Sequence, residues 1–322
     1  MIIALFAMAL FLAFSNGAND NFKGFATSWG SATLSYRAAL VLCTLATGAG
    51  GLASLYLADG LLVQFSGRGL VPDELAGSAR FGLAVATGAG ATVMLATRLG
   101  FPISTTHALV GALAGTGLAS GSPVSWNALG GGFMLPLLVS PLLAAMAGLI
   151  LFAIANRAAR AKPRAVLAGT GSDIELPQGS QAFRDGFHIL TGVAICFARA
   201  VNDTPKLAAL TLGAGVVSVS GSILATTLTM VAGGWLLSRR VAETMSLKIS
   251  EIAPAQGIAA NLVTATLVLF ASKAGLPVST THVSVGSIIG TGAAAGRLDL
   301  STVSSVLMSW LLTLPCAALL AG

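Results

Sequence analysis

Apolar runs long enough to cross a membrane alternate along this chain with short polar breaks. The segments 38–58, "AALVLCTLATGAGGLASLYLA", and 130–155, "GGGFMLPLLVSPLLAAMAGLILFAIA", match or exceed the roughly 20 residues that a spanning helix needs, and similar runs cover most of the 322 residues. Strand-period alternation is absent, so the spanning elements are predicted to be helices, which satisfy every backbone polar group within one segment. The same pattern argues against a transmembrane barrel. The opening "MIIALFAMALFLAF" resembles the apolar core of a signal peptide but lacks a basic flank. It runs straight into a polar motif that has a twin later in the chain, so it is expected to be a mature first helix.

The longest polar interruption, residues 156–184, reads "NRAARAKPRAVLAGTGSDIELPQGSQAFR". It is predicted to link a first transmembrane repeat, 1–155, to a second, 185–322. The halves share two motifs in the same order. "GFPISTTHALVGALAGTGLA" (100–119) aligns without gaps to "GLPVSTTHVSVGSIIGTGAA" (275–294), identical at 12 of 20 positions. Earlier, "SNGANDNFKG" (15–24) aligns with "ARAVNDTPKL" (198–207), setting Asn19-Asp20 opposite Asn202-Asp203 and Lys23 opposite Lys206. Chance matches between glycine-rich helices explain "GTG" but not Pro-x-Ser-Thr-Thr-His and Asn-Asp recurring in order, so the chain is a duplicated unit.

Basic residues set the expected orientation. Arg157, Arg160, Lys162, Arg164 and Arg184 place the linker in the cytoplasm. The loop 59–80 carries two basic residues against three acidic ones, whereas its counterpart 238–251 carries Arg239, Arg240 and Lys248 against two acidic ones. Equivalent loops on opposite sides mean inverted repeats, an architecture common in secondary transporters. The fold class expected is thus an all-α integral membrane protein of two inverted-topology repeats, with broken helices and re-entrant helix pairs in roughly 10–12 helical segments.

Composition agrees: 55% of residues are hydrophobic and 9% charged, mean hydropathy is +0.87, and soluble domains are about 25% charged. The net charge of +6 is scattered through loops and helix flanks, so it reads as a topology signal, with no nucleic-acid partner. Cys43, Cys196 and Cys316 stand far apart in apolar segments and are expected to be small buried hydrophobes, implying neither disulfide nor metal.

The polar residues inside apolar segments carry the chemistry. An ionised Asp at a helix centre costs about 2.5–3.5 kcal/mol on insertion scales, so Asp20 and Asp203 need compensation. A bound Na⁺ or a proton would supply it, with Asn19 and Asn202 adding amide oxygens suited to a hard cation. The plainer reading is that each Asp caps a short helix, neutralised by Lys23 or Lys206; duplication favours the cation site. In "FPISTTH" the proline suits a first helical turn, and Ser104, Thr105 and Thr106 place hydroxyls at a helix N-terminus. Such an end offers unpaired N–H groups and a positive dipole end to an anion. Ser279, Thr280 and Thr281 repeat the arrangement, and two such ends facing each other near the midplane would surround one tetrahedral oxyanion. Ordinary N-capping and interhelical hydrogen bonding is the bland account of one triplet. His107 and His282 are secondary candidates as anion donors or proton relays, as is Arg199, whose aligned residue is Asn16. Arg98 and Lys273, two residues before each repeated glycine, are expected to snorkel to the interface.

"NGAND" early, a second "ND" with a nearby lysine after a central segment, and Pro-x-Ser-Thr-Thr-His in each half together resemble the inorganic phosphate transporter (PiT) family over nearly the whole chain. The resemblance implies phosphate import by symport with Na⁺ or H⁺, using inverted repeats around a site that includes Asn19, Asp20, Asn202, Asp203, Ser104, Thr105, Thr106, Ser279, Thr280 and Thr281. The chain departs from the family's second motif, which usually reads His-Gly-x-Asn-Asp: here Arg199-Ala200-Val201 precedes Asn202-Asp203. Losing the glycine removes backbone freedom and gaining an arginine changes the local charge, so relatives that carry sulfate stay in play. The chain is short for the family and reads as a minimal bacterial or archaeal member, multi-pass in the plasma (inner) membrane, with a homodimer among the assemblies expected.

The function expected is therefore a non-enzymatic secondary transporter of phosphate working by alternating access, with a sulfate or other oxyanion permease of the same fold as the alternative. Na⁺, if it couples, would bind at Asp20 and Asp203; no cofactor beyond the coupling Na⁺ or H⁺ is expected. An intramembrane phosphoesterase would need an Asp beside a His, which nothing in the sequence arranges. A cation channel or exchanger would leave the duplicated hydroxyls without a role.

Overall fold

A computed structural model describes residues 1–161 and 178–322. Among these residues there are helices and no strands, only isolated bridges at Arg68–Val71 and Ser250–Leu298. The first half runs α1 (Ile2–Asp20), α2 (Ala26–Gly30), α3 (Tyr36–Leu57), α4 (Asp59–Gln64), α5 (Asp73–Ala76), α6 (Ala79–Leu99), α7 (Thr105–Ala119) and α8 (Leu135–Ala161). The second runs α9 (Gln178–Gly213), α10 (Val219–Leu237), α11 (Arg239–Glu243), α12 (Pro254–Lys273), α13 (Thr280–Ala295) and α14 (Leu300–Ala321). Ten of these, among the described residues, are fifteen residues or longer. The expected linker is helical at both ends, through Ala161 and from Gln178, while 162–177 lie outside the described residues.

Seven helical stretches among the described residues are long and apolar enough to cross a membrane, formed by α1–α2, α3, α6, α8 with the turn before it, α10, α12 and α14. The long helix α9 is less apolar because Arg199, Asp203 and Lys206 lie within it. At 15 and 16 residues, α7 and α13 reach only about 22–24 Å at 1.5 Å per residue, short of the roughly 30 Å hydrocarbon core. Each follows a long helix through a glycine in the left-handed region, Gly100 (φ +79°) and Gly275 (φ +66°). Both turns close alike, Phe101 N–H to Ala96 O at 2.9 Å and Leu276 N–H to Ala271 O at 2.9 Å, the Schellman motif whose left-handed position glycine enters without Cβ strain. The pairs α6–α7 and α12–α13 are thus re-entrant hairpins, one in each inverted half.

Packing between elements follows a two-fold pattern. α1 packs on α6 of its own half and α10 of the other; α9 packs on α12 and α3 in the same way. The short helices cross over, α7 against α14 and α13 against α8. "GALAG" (111–115) and "GSIIG" (286–290) make this possible: Gly111 and Gly115 face the carbonyls of Leu314 and Ala318, and Gly286 and Gly290 those of Pro141 and Ala145. Small residues four apart let helix backbones touch where lipid supplies no hydrophobic drive for association.

The Asn-Asp breaks differ between halves. α1 gives way at Asn21–Phe25 to a 3₁₀ turn before α2, whereas α9 runs unbroken through Asn202-Asp203 with Pro205 inside it. The first-half turn contains Gly24, where the second half has Leu207, so the second half lacks the backbone freedom that such a break uses.

Burial is inverted relative to a soluble protein. Lys23, Arg199 and Lys206 are among the largest fully buried side chains, while Leu45, Leu135 and Leu319 are 59–82% exposed, as expected when lipid is the solvent. Arg98 and Lys273 are exposed, in keeping with snorkelling. All three cysteines are free; Cys43 and Cys196 are buried, but Cys316 is exposed, because α14 turns that face to the lipid side.

Replacing Gly290 by leucine would drive a side chain into the Ala145 carbonyl. The expected loss is about 1–3 kcal/mol from overpacking, read as a lower melting temperature of the purified protein in detergent. Gly131→Ala, with nothing within 4 Å of its Cβ position, should leave the melt unchanged.

Candidate functional site

The two Ser-Thr-Thr-His stretches begin α7 and α13 at the centre of the molecule, and their three hydroxyls have three different partners. Ser104 Oγ accepts from His107 N–H at 3.0 Å and Ser279 Oγ from His282 N–H at 3.1 Å, so both serines are helix N-caps. Thr106 Oγ1 donates to Val278 O at 3.3 Å, and Thr281 Oγ1 to Ile103 O at 2.7 Å. Each of these threonines holds the other half's pre-helical segment. Thr105 and Thr280 face the acidic motif: Asn16 Nδ2 donates to Thr105 Oγ1 at 3.0 Å, and Thr280 Oγ1 donates to Asp203 Oδ2 at 3.4 Å.

The Asn-Asp motifs meet these helix ends with the same reciprocity. Asn19 Nδ2 donates to Thr97 Oγ1 at 2.9 Å and to Phe101 O at 3.0 Å, and Asn19 Oδ1 accepts from Ile103 N–H at 3.2 Å. Asn202 Nδ2 donates to Ser272 Oγ at 2.7 Å, the position aligned with Thr97. Lys23 Nζ bonds both Asp20 and Thr281. Lys206 Nζ bonds Asn202, Thr106 at 3.0 Å and Val278 O at 2.9 Å, with Asp203 Oδ1 at 3.5 Å. Each lysine therefore pairs with the acidic motif of its own half and the hydroxyl of the other.

The one large asymmetry sits where Arg199 aligns with Asn16. The two touch each other, Arg199 Nη1 donating to Asn16 Oδ1 at 3.3 Å, while Nη2 donates to Thr47 Oγ1 at 2.7 Å and Asn21 Oδ1 at 3.4 Å. Arg199 Nη1 also lies 3.9 Å from Asp203 Oδ2. Asn16 Nδ2 bridges the acids, 3.2 Å from Asp20 Oδ2 and 3.5 Å from Asp203 Oδ2. Three cations and two carboxylates are thus gathered in one cluster, all 3% exposed or less. Two helix N-termini point their dipole-positive ends at it, and in so dry a region each charge interaction is far stronger than in water. The arrangement is an anion-attracting centre whose donors are ammonium, guanidinium, hydroxyl and amide groups.

The histidines lie beside this cluster rather than in its hydrogen-bond network. Their rings are 4.4 Å apart, His282 stacks on Trp310 at 3.8 Å, and Trp310 Nε1 donates to Pro102 O at 3.1 Å. They form the polar end of an otherwise apolar cavity of about 530 Å³ between α8, α13 and α14. Sequence reasoning passed over Asn16, Asn21, Thr47, Thr97 and Ser272. Thr97 and Ser272 carried a usable signal, matching hydroxyls at aligned positions, and Asn16 and Asn21 interrupt the same apolar helix as Asn19.

With this geometry the comparisons are unambiguous: residues 16–321 match the Phosphate transporter family. The chain belongs to that family. It is 27% identical to an Arabidopsis thaliana protein named inorganic phosphate transporter 2-1, chloroplastic, over 99% of this chain and 70% of that one. Its fold superposes on a solved structure titled the sodium-dependent phosphate transporter with a TM-score of 0.86 at 22% identity, covering 99% of this chain and 96% of that one. This phosphate transporter family member is accordingly a multi-pass membrane protein and not an enzyme.

Because Ser104 and Ser279 cap helices, Ser104→Ala or Ser279→Ala should lower stability by about 1 kcal/mol, seen as a drop in detergent melting temperature. Phosphate affinity, measured on the same samples, should change far less than in variants at Thr105 or Thr280.

Proposed function

We infer that the protein imports inorganic phosphate across the plasma membrane by symport with Na⁺ or H⁺, through alternating access around the central cluster, with its central segment in the cytoplasm. The observation that carries this reading is the meeting of two inverted helix N-termini over one buried group of Arg199, Lys23 and Lys206. A tetrahedral oxyanion needs many donors converging from opposite sides, which two inverted halves provide. Thr280 is directed at Asp203 and Thr105 at Asn16, the amide that bridges the two acids, and these two threonines are the proposed anion donors of each half. Ser104, Thr106, Ser279 and Thr281 hold the helix ends in place around them.

Phosphate is favoured over sulfate by the two carboxylates. Hydrogen phosphate can donate a hydrogen bond to a second lone pair of an Asp20 or Asp203 oxygen, whereas sulfate has no proton to share at neutral pH and would face them acceptor to acceptor. Purified protein in liposomes should take up labelled phosphate, and excess unlabelled phosphate but not sulfate should block it. Equal block by sulfate would replace phosphate by a general oxyanion as the substrate.

The double change Thr105→Val and Thr280→Val removes one hydroxyl from each side. Phosphate binding should weaken by about 1–3 kcal/mol, the cost of leaving a buried polar partner unsatisfied. Titration calorimetry with phosphate checks it, and wild-type affinity would remove these two threonines from the site.

A further inference from the structure

Asp20 and Asp203 call for compensation by a bound Na⁺ or a proton, and the fold shows what lies against them. Asp20 Oδ1 accepts from Lys23 and Oδ2 from Asn16. Asp203 Oδ1 faces Lys206 at 3.5 Å, and Oδ2 faces Thr280 at 3.4 Å, Asn16 at 3.5 Å and Arg199 at 3.9 Å. The amide oxygens are engaged too: Asn19 Oδ1 accepts from Ile103 N–H at 3.2 Å, and Asn202 Oδ1 from Lys206. Every side-chain oxygen in the two Asn-Asp motifs thus already has a fixed donor of this chain. A hard monovalent cation needs several such oxygens at once, and would enter a cluster that already holds three cations against two carboxylates.

We propose that Lys23 and Lys206 are tethered counter-cations that stand in for a transported metal ion, so that phosphate uptake by this chain requires no Na⁺. The proposal rests on the phosphate reading above and narrows its coupling ion to the proton. Three lines of geometry support it. The lysines occupy aligned positions in the two halves. Each ammonium spans from its own half's acidic motif to the opposite half's threonine, Thr281 for Lys23 and Thr106 for Lys206, as a bridging cation would. The cluster's excess of one positive charge is neutralised by one monovalent anion, and dihydrogen phosphate is hydrogen phosphate carrying one proton.

The charged and titratable groups around these ammoniums come from every packed element. Asp20 (α1), Arg199 and Asp203 (α9) lie in the cluster, and Lys206 is within electrostatic reach of Lys23. His107 (α7) and His282 (α13) lie beside it. Lys206 additionally sits 5.6 Å from the centre of the Phe65 ring on the side of α4. None of these groups brings an acid beyond the two aspartates, so no third carboxylate is left to demand a metal cation.

The test uses the full-length protein in two assays. In detergent, the melting temperature is followed across a NaCl titration at constant ionic strength with choline chloride as the balance. In liposomes, initial rates of labelled phosphate uptake under an inward proton gradient are compared with and without Na⁺. The expected results are a melting temperature that does not respond to Na⁺ and equal uptake rates. A saturable Na⁺-dependent rise in either overturns the proposal. Lys23→Gln and Lys206→Gln, which leave a carboxylate buried without its partner, should lose roughly tenfold or more of Na⁺-free uptake, since breaking such a pair is strongly unfavourable, and regain it when Na⁺ is added. Loss that Na⁺ does not restore, in variants that still fold, counts against the lysines as cation surrogates. The melting assay reads Na⁺ binding whichever anion is carried, so absence of phosphate uptake by wild type would sink the phosphate reading while the Na⁺ question is still decided.

Discussion

The bridges made by Lys23 and Lys206 are the constraint on which the centre of this fold depends. Each ammonium is fully buried and is held partly by its own half and partly by the other. A charge taken out of water is tolerated only when it is paired and its remaining hydrogen-bonding positions are filled. Neither half supplies enough partners alone: Lys23 needs Thr281, and Lys206 needs Thr106 and the Val278 carbonyl. The site therefore comes into being only when the inverted halves dock, which ties the pairing of charges to the two-fold arrangement of the whole molecule.

That docking has to succeed where lipid removes the usual reward for burying apolar surface, and backbone proximity takes its place. Gly111, Gly115, Gly286 and Gly290 bring α7 onto α14 and α13 onto α8. Since α7 and α13 carry the Thr-Thr pairs at their first turns, the same glycines that set helix separation also set how far apart the two N-termini stand. Packing and chemistry are thus linked through the two short helices, and an error of register in either would pull the threonines off their lysines.

The duplicated octapeptide and the duplicated Asn-Asp made the inverted halves, the hairpins and the neighbourhood of the site readable from sequence, because repetition survives without any knowledge of packing. The fate of each hydroxyl was not readable. Ser104, Thr105 and Thr106 look alike in a string, yet on a helix start successive residues point in different directions, toward the backbone, the Asn16 amide and the opposite half. Local neutralisation of the aspartates by Lys23 and Lys206 and a cation site at the same acids call for the same residue types. Only their reach to Thr106 and Thr281, residues distant in the chain, separates the two. The histidines drew attention as titratable groups beside the hydroxyls, but their one-residue offset turns them toward Trp310 and an apolar cavity.

The departures from symmetry bear on mechanism as much as the symmetry does. In the alternating access proposed above, one repeat rocks against the other around the site, and two identical inverted halves would give outward and inward states of equal energy. Here the halves differ at the site itself: Arg199 stands against Asn16, and a 3₁₀ break after Asp20 stands against an unbroken helix through Asp203. The guanidinium is anchored on α3 through Thr47 and on the broken helix through Asn21, so exchanging conformations would move Arg199 relative to both anchors while the first half has no equivalent bonds to break. The two states would then present different fields to the same anion. A ligand shifts such an equilibrium only through its unequal interaction with the two states, and under the alternating access proposed above Arg199 would be the residue that makes phosphate's interaction unequal.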